Sequence, residues 1–353
     1  MKHYTIPFFI PHEGCPHQCA FCDQKNITGS DPVKPQDVAP RIEEYLDTMF
    51  HDENTAIEVG FFGGSFTGLP ADLQESFFRP VQEYIKRGLV EGIRLSTRPD
   101  LITEEILDLL KKWNVRCVEL GVQSMSDKVL AASKRGHTAG DTVAASAMIL
   151  KKGFTLGHQM MLGLPESTRE DEYHTARRVR ELGASQVRIY PLVVMKDTPL
   201  AEQKHTALTE EEAIDLSARL VVYFESSGIK VIRCGLHPSS GLLNGKDIVS
   251  GPFHEAFGLK VRSRIFSFML EELHRSGQPS GRHVLFNRRD EAAFFGFRQE
   301  NKPMIAELSE KNMNFFWSSG NIPRHTFMVR EAGCTYILGY REIAASVLPK
   351  GRS

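Results

Sequence analysis

Phe154-Thr-Leu-Gly-His-Gln-Met-Met-Leu162 is followed by Gly163-Leu-Pro165, then by Ser167 to Leu182, and then by Ser185-Gln-Val-Arg-Ile-Tyr-Pro-Leu-Val-Val194. The first and last runs are apolar and short enough for buried strands. The stretch between them spaces its apolar residues as a helix does. A strand, a helix and a second strand in series predict parallel strands joined by a crossover. Moving outward, the same rhythm recurs. Further strand-like runs are Tyr4–Ile10, Thr55–Phe62, Gly92–Ser96, Val115–Val122 and Ile229–Cys234. Helical stretches lie between them at 35–50, 70–87, 103–113, 140–152 and 209–227. Thr103 and Thr209 stand directly before acidic residues, as helix N-caps do, and Gly153 and Gly228 stand where helices stop. Six strand–helix units fit a barrel-like sheet or a doubly wound open sheet. Both place chemistry at the C-terminal ends of the strands.

The unusual residues fall there. Cys15 to Cys22 follow the first strand, Gly63-Gly64-Ser65 the second, Ser96-Thr97-Arg98 the third and Gln123-Ser124 the fourth. After Cys234 the rhythm breaks into a Gly-, Ser- and His-rich segment, then into a region with Phe294-Phe295-Gly-Phe297 and Phe315-Phe316-Trp317. We read residues 1–235 as one domain and 236–353 as a smaller α+β region closing the barrel. The aromatic clusters are expected mainly in its core.

Composition bounds the rest. Apolar residues are 41% and charged ones 25%, which excludes disordered and fibrous chains. No run of about 18 apolar residues spans a membrane, and the patch Ile6–Pro11 is too short for a secretory signal, so a cytoplasmic location is expected. Residues 257–353 carry 15 Lys and Arg against 9 Asp and Glu, a net +6, whereas the whole chain is −1. A basic tail behind an acidic body hints at an anionic partner.

Six cysteines are present, three of them in Cys15-Pro-His-Gln-Cys19-Ala-Phe-Cys22. Thiolates are the soft ligands of iron–sulfur clusters, and three from one loop leave the fourth iron of a cubane open to a small molecule. Two other readings use the same residues. A structural zinc would take a fourth ligand from His12 or His17. A redox pair would use Cys19 and Cys22 alone. Phe21 would shield a bound cluster. Cys117 and Cys334 are expected as core thiols. Cys234, beside Gly235 and His237, is a weaker substrate-contact candidate.

The Cys-x3-Cys-x2-Cys triplet after a first strand resembles the signature of the radical S-adenosylmethionine superfamily. The resemblance implies a partial (βα)6 TIM-like barrel with a 4Fe-4S cluster on Cys15, Cys19 and Cys22. It also implies that S-adenosylmethionine is cleaved to a 5′-deoxyadenosyl radical, with a flavodoxin- or ferredoxin-type electron donor. Gly63-Gly64-Ser65 resembles the glycine pair that meets the methionine amino group. Glu119-Leu-Gly-Val-Gln123 and Gly157-His-Gln-Met-Met-Leu-Gly-Leu-Pro165 are similar to one branch, which holds the Elongator catalytic subunit and oxygen-independent coproporphyrinogen oxidase. Ser96-Thr-Arg-Pro-Asp100, Lys134-Arg-Gly-His-Thr138 and Val187-Arg-Ile-Tyr-Pro191 look more like the Elongator side. By motif position, Ser96, Gln123, Arg135 and Gln159 are expected to contact S-adenosylmethionine, with Ser96 standing where relatives carry an acid. An acetyltransferase half is not expected, because no Arg/Gln-x-x-Gly-x-Gly/Ala loop follows Gly258. The cysteine usual beside the triplet in coproporphyrinogen oxidases is Asp23 here. The sequence does not name the substrate; one related to tRNA is compatible with the resemblance and with the basic, aromatic tail. A porphyrin substrate and a zinc-stabilised binding module are the alternatives.

Overall fold

The structure is a computed structural model. It describes residues 2–10, 13–23, 33–49, 52, 55–276, 282–318, 320, 322–331 and 333–348. His12, named above as a zinc ligand, and Phe50 lie outside the described residues. Contacts group the chain into two compact units, residues 1–207 with 237–252 and residues 208–236 with 253–353. Residues 208–235, read from the sequence with the first domain, thus cluster with the C-terminal residues.

The first unit carries parallel strands β1 (Lys2–Phe9), β2 (Thr55–Phe62), β3 (Gly92–Thr97), β4 (Val115–Gln123), β5 (Thr155–Leu162) and β6 (Gln186–Pro191). Each pairs with the next in chain order. The helices 38–48, 71–86, 104–112, 139–151 and 169–181 alternate with them. Of the two architectures the strand–helix rhythm allows, this is the half-barrel with alternating helices that the family resemblance implies. Several of these helices have well-defined starts because their N-termini are capped. Thr103 Oγ1 accepts from Ile106 N, and Thr138 and Thr168 form capping boxes with Asp141 and Asp171.

The strands are two-faced. On β3, Ile93 and Leu95 are fully buried in the apolar layer beneath the helices, which includes Phe77, Phe78, Leu107 and Leu110. Around Phe61 this layer is aromatic, with Phe66 at 5.0 Å and Phe77 at 5.7 Å between ring centroids. Residues of the opposite parity on the same strands are polar and also buried: Glu58, Arg94, Ser96 and Glu119. Short strands β7 (Val194–Met195) and β9 (Ile248–Ser250) pair antiparallel; β7 starts at the last residue of the run read as one longer strand, and β9 lies in the Gly-, Ser- and His-rich segment.

The second unit holds β8 (Lys230–Cys234), the helices 210–226, 257–275 and 340–347, and a four-stranded sheet. That sheet runs β11 (Met313–Ser318), β10 (Arg282–Asn287), β12 (Phe327–Glu331), β13 (Cys334–Leu338). Its core is aromatic, with Phe286 stacked on Phe294 at 4.1 Å and both buried. The expectation of aromatic core residues needs one correction. Phe294 is core, but Phe316 and Trp317 are 49% and 51% exposed. Cys334, expected inside, is also exposed, because β13 is an edge strand. Cys117 is buried, and burial pushes its thiol up to about 12. Among the described residues no helix is long and apolar enough to cross a membrane.

Candidate active site

β1 ends where Ile10 N donates to Phe62 O at 2.8 Å, and the chain then enters the cysteine loop. That loop is seated on the loop after β2 by backbone. Ser65 N donates to Glu13 O at 2.9 Å. Gly14 (φ +70°) has no room for a side chain: a Cβ there would lie 2.2 Å from Ser65 O. Gly64 (φ +54°) mirrors it, since a Cβ would lie 2.2 Å from Glu13 O. Both positions need glycine for its left-handed backbone and for the close approach.

Within the loop, Cys22 N donates to Cys19 O at 3.2 Å, a tight turn that brings these two residues together. Ala20 anchors the loop from below. Its N donates to Ser133 O at 3.0 Å and its O accepts from Leu200 N at 3.1 Å, while its methyl packs among Leu192, Val194 and Leu200. Cys19 is buried, and Cys15 and Cys22 are half-buried. None of the three is in a disulfide.

The three cysteines open onto a cavity of about 440 Å³. Its walls also include Gly63, Gly64, Ser96, Gln123, Arg135 and Gln159, each singled out from the sequence. Ser65 is not on the wall. It is fully buried, and its hydroxyl lies 3.2 Å from Cys15 Sγ. Phe21 lines the cavity, as do His17, the other zinc-ligand candidate, and Thr97 from the end of the third strand; Gly121, which the sequence does not mark as a site residue, lines it too. A glycine inside a strand signals close backbone approach, and Gly121 is one. Its carbonyl accepts from Arg135 Nη2 at 2.8 Å. Thr97 Oγ1 lies 2.6 Å from Thr67 Oγ1, which ties the ends of the second and third strands.

Polar groups on the wall are poised rather than consumed. Arg135 Nη1 donates to Cys19 Sγ at 3.3 Å, while its Nε is buried with no hydrogen-bond partner. Gln123, held at φ +62° at the end of β4, has its Oε1 buried and unpartnered. Buried groups in this state cost about 1–3 kcal/mol each unless a ligand satisfies them. Gln159 Nε2 donates to Glu119 Oε2 at 3.2 Å. Among the described residues, no three His, Cys, Asp or Glu side chains are grouped as ligands of a single metal ion. Cys234 lies on β8 in the second unit, and burial pushes its thiol up to about 12, so it is a neutral thiol at pH 7.

Comparisons with known proteins point the same way. Residues 9–179 match the model of the Radical SAM superfamily, and residues 184–266 that of the Radical_SAM C-terminal domain. An uncharacterised protein of Methanocaldococcus jannaschii is 30% identical over 234 residues, covering 61% of this chain and 70% of that protein. A tRNA uridine(34) acetyltransferase of the same organism is 26% identical, covering 58% of this chain. Elongator complex protein 3 of Saccharomyces cerevisiae is 24% identical, covering 60% of it. This chain spans 46% of the length of each of the latter two. Among solved structures, Elp3 of Methanocaldococcus infernus aligns with a TM-score of 0.53 at 20% identity, over 69% of this chain and 62% of that one.

Proposed function

Because the chain belongs to the radical SAM superfamily and is an enzyme of that class, we propose that Cys15, Cys19 and Cys22 hold a 4Fe-4S cluster and that the adjoining cavity binds S-adenosylmethionine. The observation that carries the reading is the meeting of three thiols, two loop glycines and three amide or guanidinium side chains on one cavity wall. The donor set fits the group. It is all sulfur, and the residues beside it carry buried polar atoms that lack a protein partner. When bound, the cluster supplies the electron that cleaves S-adenosylmethionine, so that a 5′-deoxyadenosyl radical can take hydrogen from substrate.

The chain's own residues do the rest. Gly63 and Gly64 present bare backbone to the amino acid end of the ligand. Arg135 donates to Cys19 Sγ and has Nε in reserve. Gln123 offers an acceptor, Ser96 a hydroxyl, and Phe21 keeps water from the sulfurs. Ser65 holds Cys15 from behind instead of reaching the ligand. A donor of the flavodoxin or ferredoxin type supplies the electron. The tRNA uridine(34) acetyltransferase among the relatives supports a substrate related to tRNA, and so do the exposed Phe316 and Trp317, with Arg288 4.6 Å over the Trp317 ring.

Anaerobic reconstitution tests the reading. The expected product is a brown protein with about four irons and four sulfides, which bleaches on reduction and cleaves labelled S-adenosylmethionine. A colourless protein holding one zinc and cleaving nothing would overturn it in favour of a zinc-stabilised module.

A further inference from the structure

Behind the cavity lies a layer of buried charge that the reaction above does not use. Glu119 on β4 is 1% exposed. It accepts from Arg94 Nε at 3.0 Å, from Arg188 Nε at 2.5 Å and from Arg188 Nη2 at 3.0 Å. Arg94 also reaches Glu58 at 3.3 Å, Gln186 Oε1 at 2.6 Å and Cys117 Sγ at 3.4 Å. Two carboxylates and two guanidinium groups therefore balance. Space has been cleared for the arrangement: a Cβ on Gly157 would lie 2.9 Å from Glu119 Cγ. Burial alone would raise the pKa of Glu119. Arg188 and Arg94, with the hydrogen bond from Gln159, outweigh it and hold the group below its ordinary value. Glu119 is thus an anion, able only to accept. Among the described residues its other hydrogen-bond partner is the Gln159 amide, and Gln159 is also on the cavity wall. Facing a carboxylate, that amide has to turn its NH2 inward. Its carbonyl oxygen is then left for the cavity.

We propose that Glu119 is a positioning residue: by holding Gln159 Nε2 it fixes Gln159 Oε1 as an acceptor in the cavity, so that the ligand must present a donor, an amino or hydroxyl group, at that wall. The inference rests on the reading of the cavity as the S-adenosylmethionine site. It adds Glu119, Arg94, Arg188 and Gly157 as the machinery that sets the polarity of one wall.

The test is a cycle of S-adenosylmethionine affinities on the reconstituted protein, read from the cluster's absorption change. Gln159→Leu removes the acceptor and should weaken binding about tenfold. Glu119→Gln frees the amide to turn and should weaken binding several-fold, at unchanged iron content. In the Gln159→Leu background, Glu119→Gln should then do nothing further. A folded Glu119→Gln protein with wild-type affinity would overturn the inference, and so would independent, multiplying effects in the double variant. If Glu119→Gln fails to fold, Gly157→Ala displaces the carboxylate by its Cγ, and the same two results are read from it. Wild-type protein that holds the cluster but binds no S-adenosylmethionine overturns the functional reading itself, a result distinct from either of those.

Discussion

Cys15→Ala, Cys19→Ala and Cys22→Ala are each expected to lose most bound iron and all cleavage of S-adenosylmethionine, while Cys117→Ala and Cys334→Ala keep both. Iron analysis after anaerobic reconstitution decides it, and full iron in any triplet variant would end the assignment. The triplet was legible because its spacing is local. The behaviour of Gly64 was not. If the pair meets the methionine amino group, as its resemblance implies, a side chain at Gly64 would intrude on the ligand. In the structure its Cβ would strike Glu13 O at 2.2 Å, on the chain's own cysteine loop. Gly64→Val should therefore disturb the loop before it disturbs the ligand, lowering iron content as well as S-adenosylmethionine affinity. A variant with full iron and weakened affinity would restore the simpler steric account. The contact joins residues 51 apart in the chain, and no local pattern reports such a distance.

Elements were read best where one face is apolar and a cap is present. The helices opened by Thr103 and Thr209 begin where the sequence places them, one residue after each cap. Helix 127–132 was missed because six residues are too few to show a period. The helix Arg169–Glu181 carries a device that only tertiary structure reveals. Glu172 is buried, and its Oε1 accepts from Gly163 N at 2.9 Å and Ser167 Oγ at 2.8 Å, clasping the loop after β5. Burial raises its pKa to about 7, against those hydrogen bonds, which lower it. The folded pKa lies above the ordinary carboxyl value of 4.5. The folded state thus binds the proton more tightly, and stability is lost as pH rises from there to about 7. Glu172→Gln should remove this slope. Thermal melts at pH 5 and pH 8 should lie closer together than in wild type, and an unchanged gap would show that the carboxyl does not titrate in this window.

At the scale of the whole molecule, the charge division read from the sequence meets an exposed aromatic surface in the second unit. The face opposite that unit's aromatic core places Phe316, Leu285, Met328 and Ile337 in one register row across four strands. Were RNA a substrate, tRNA binding would fall steeply between low and moderate salt, because each neutralised phosphate releases counterions. Phe316→Ala, on that face, would weaken it by about 5-fold or more, the scale of a lost base stack. Salt-insensitive, weak binding by the full chain would remove RNA and leave a smaller substrate. Single residues and strand–helix order were open to the sequence; which unit residues 208–236 join was not, because that depends on long-range packing alone. The two glycine contacts between the first and second loops bear on protein engineering. Transplanting Glu13–Cys22 onto another scaffold would carry over the sulfur atoms without the backbone they lean on. The smallest portable piece is the pair of loops with the two strands that launch them, and libraries that vary one loop while freezing the other will return mostly misfolded clones.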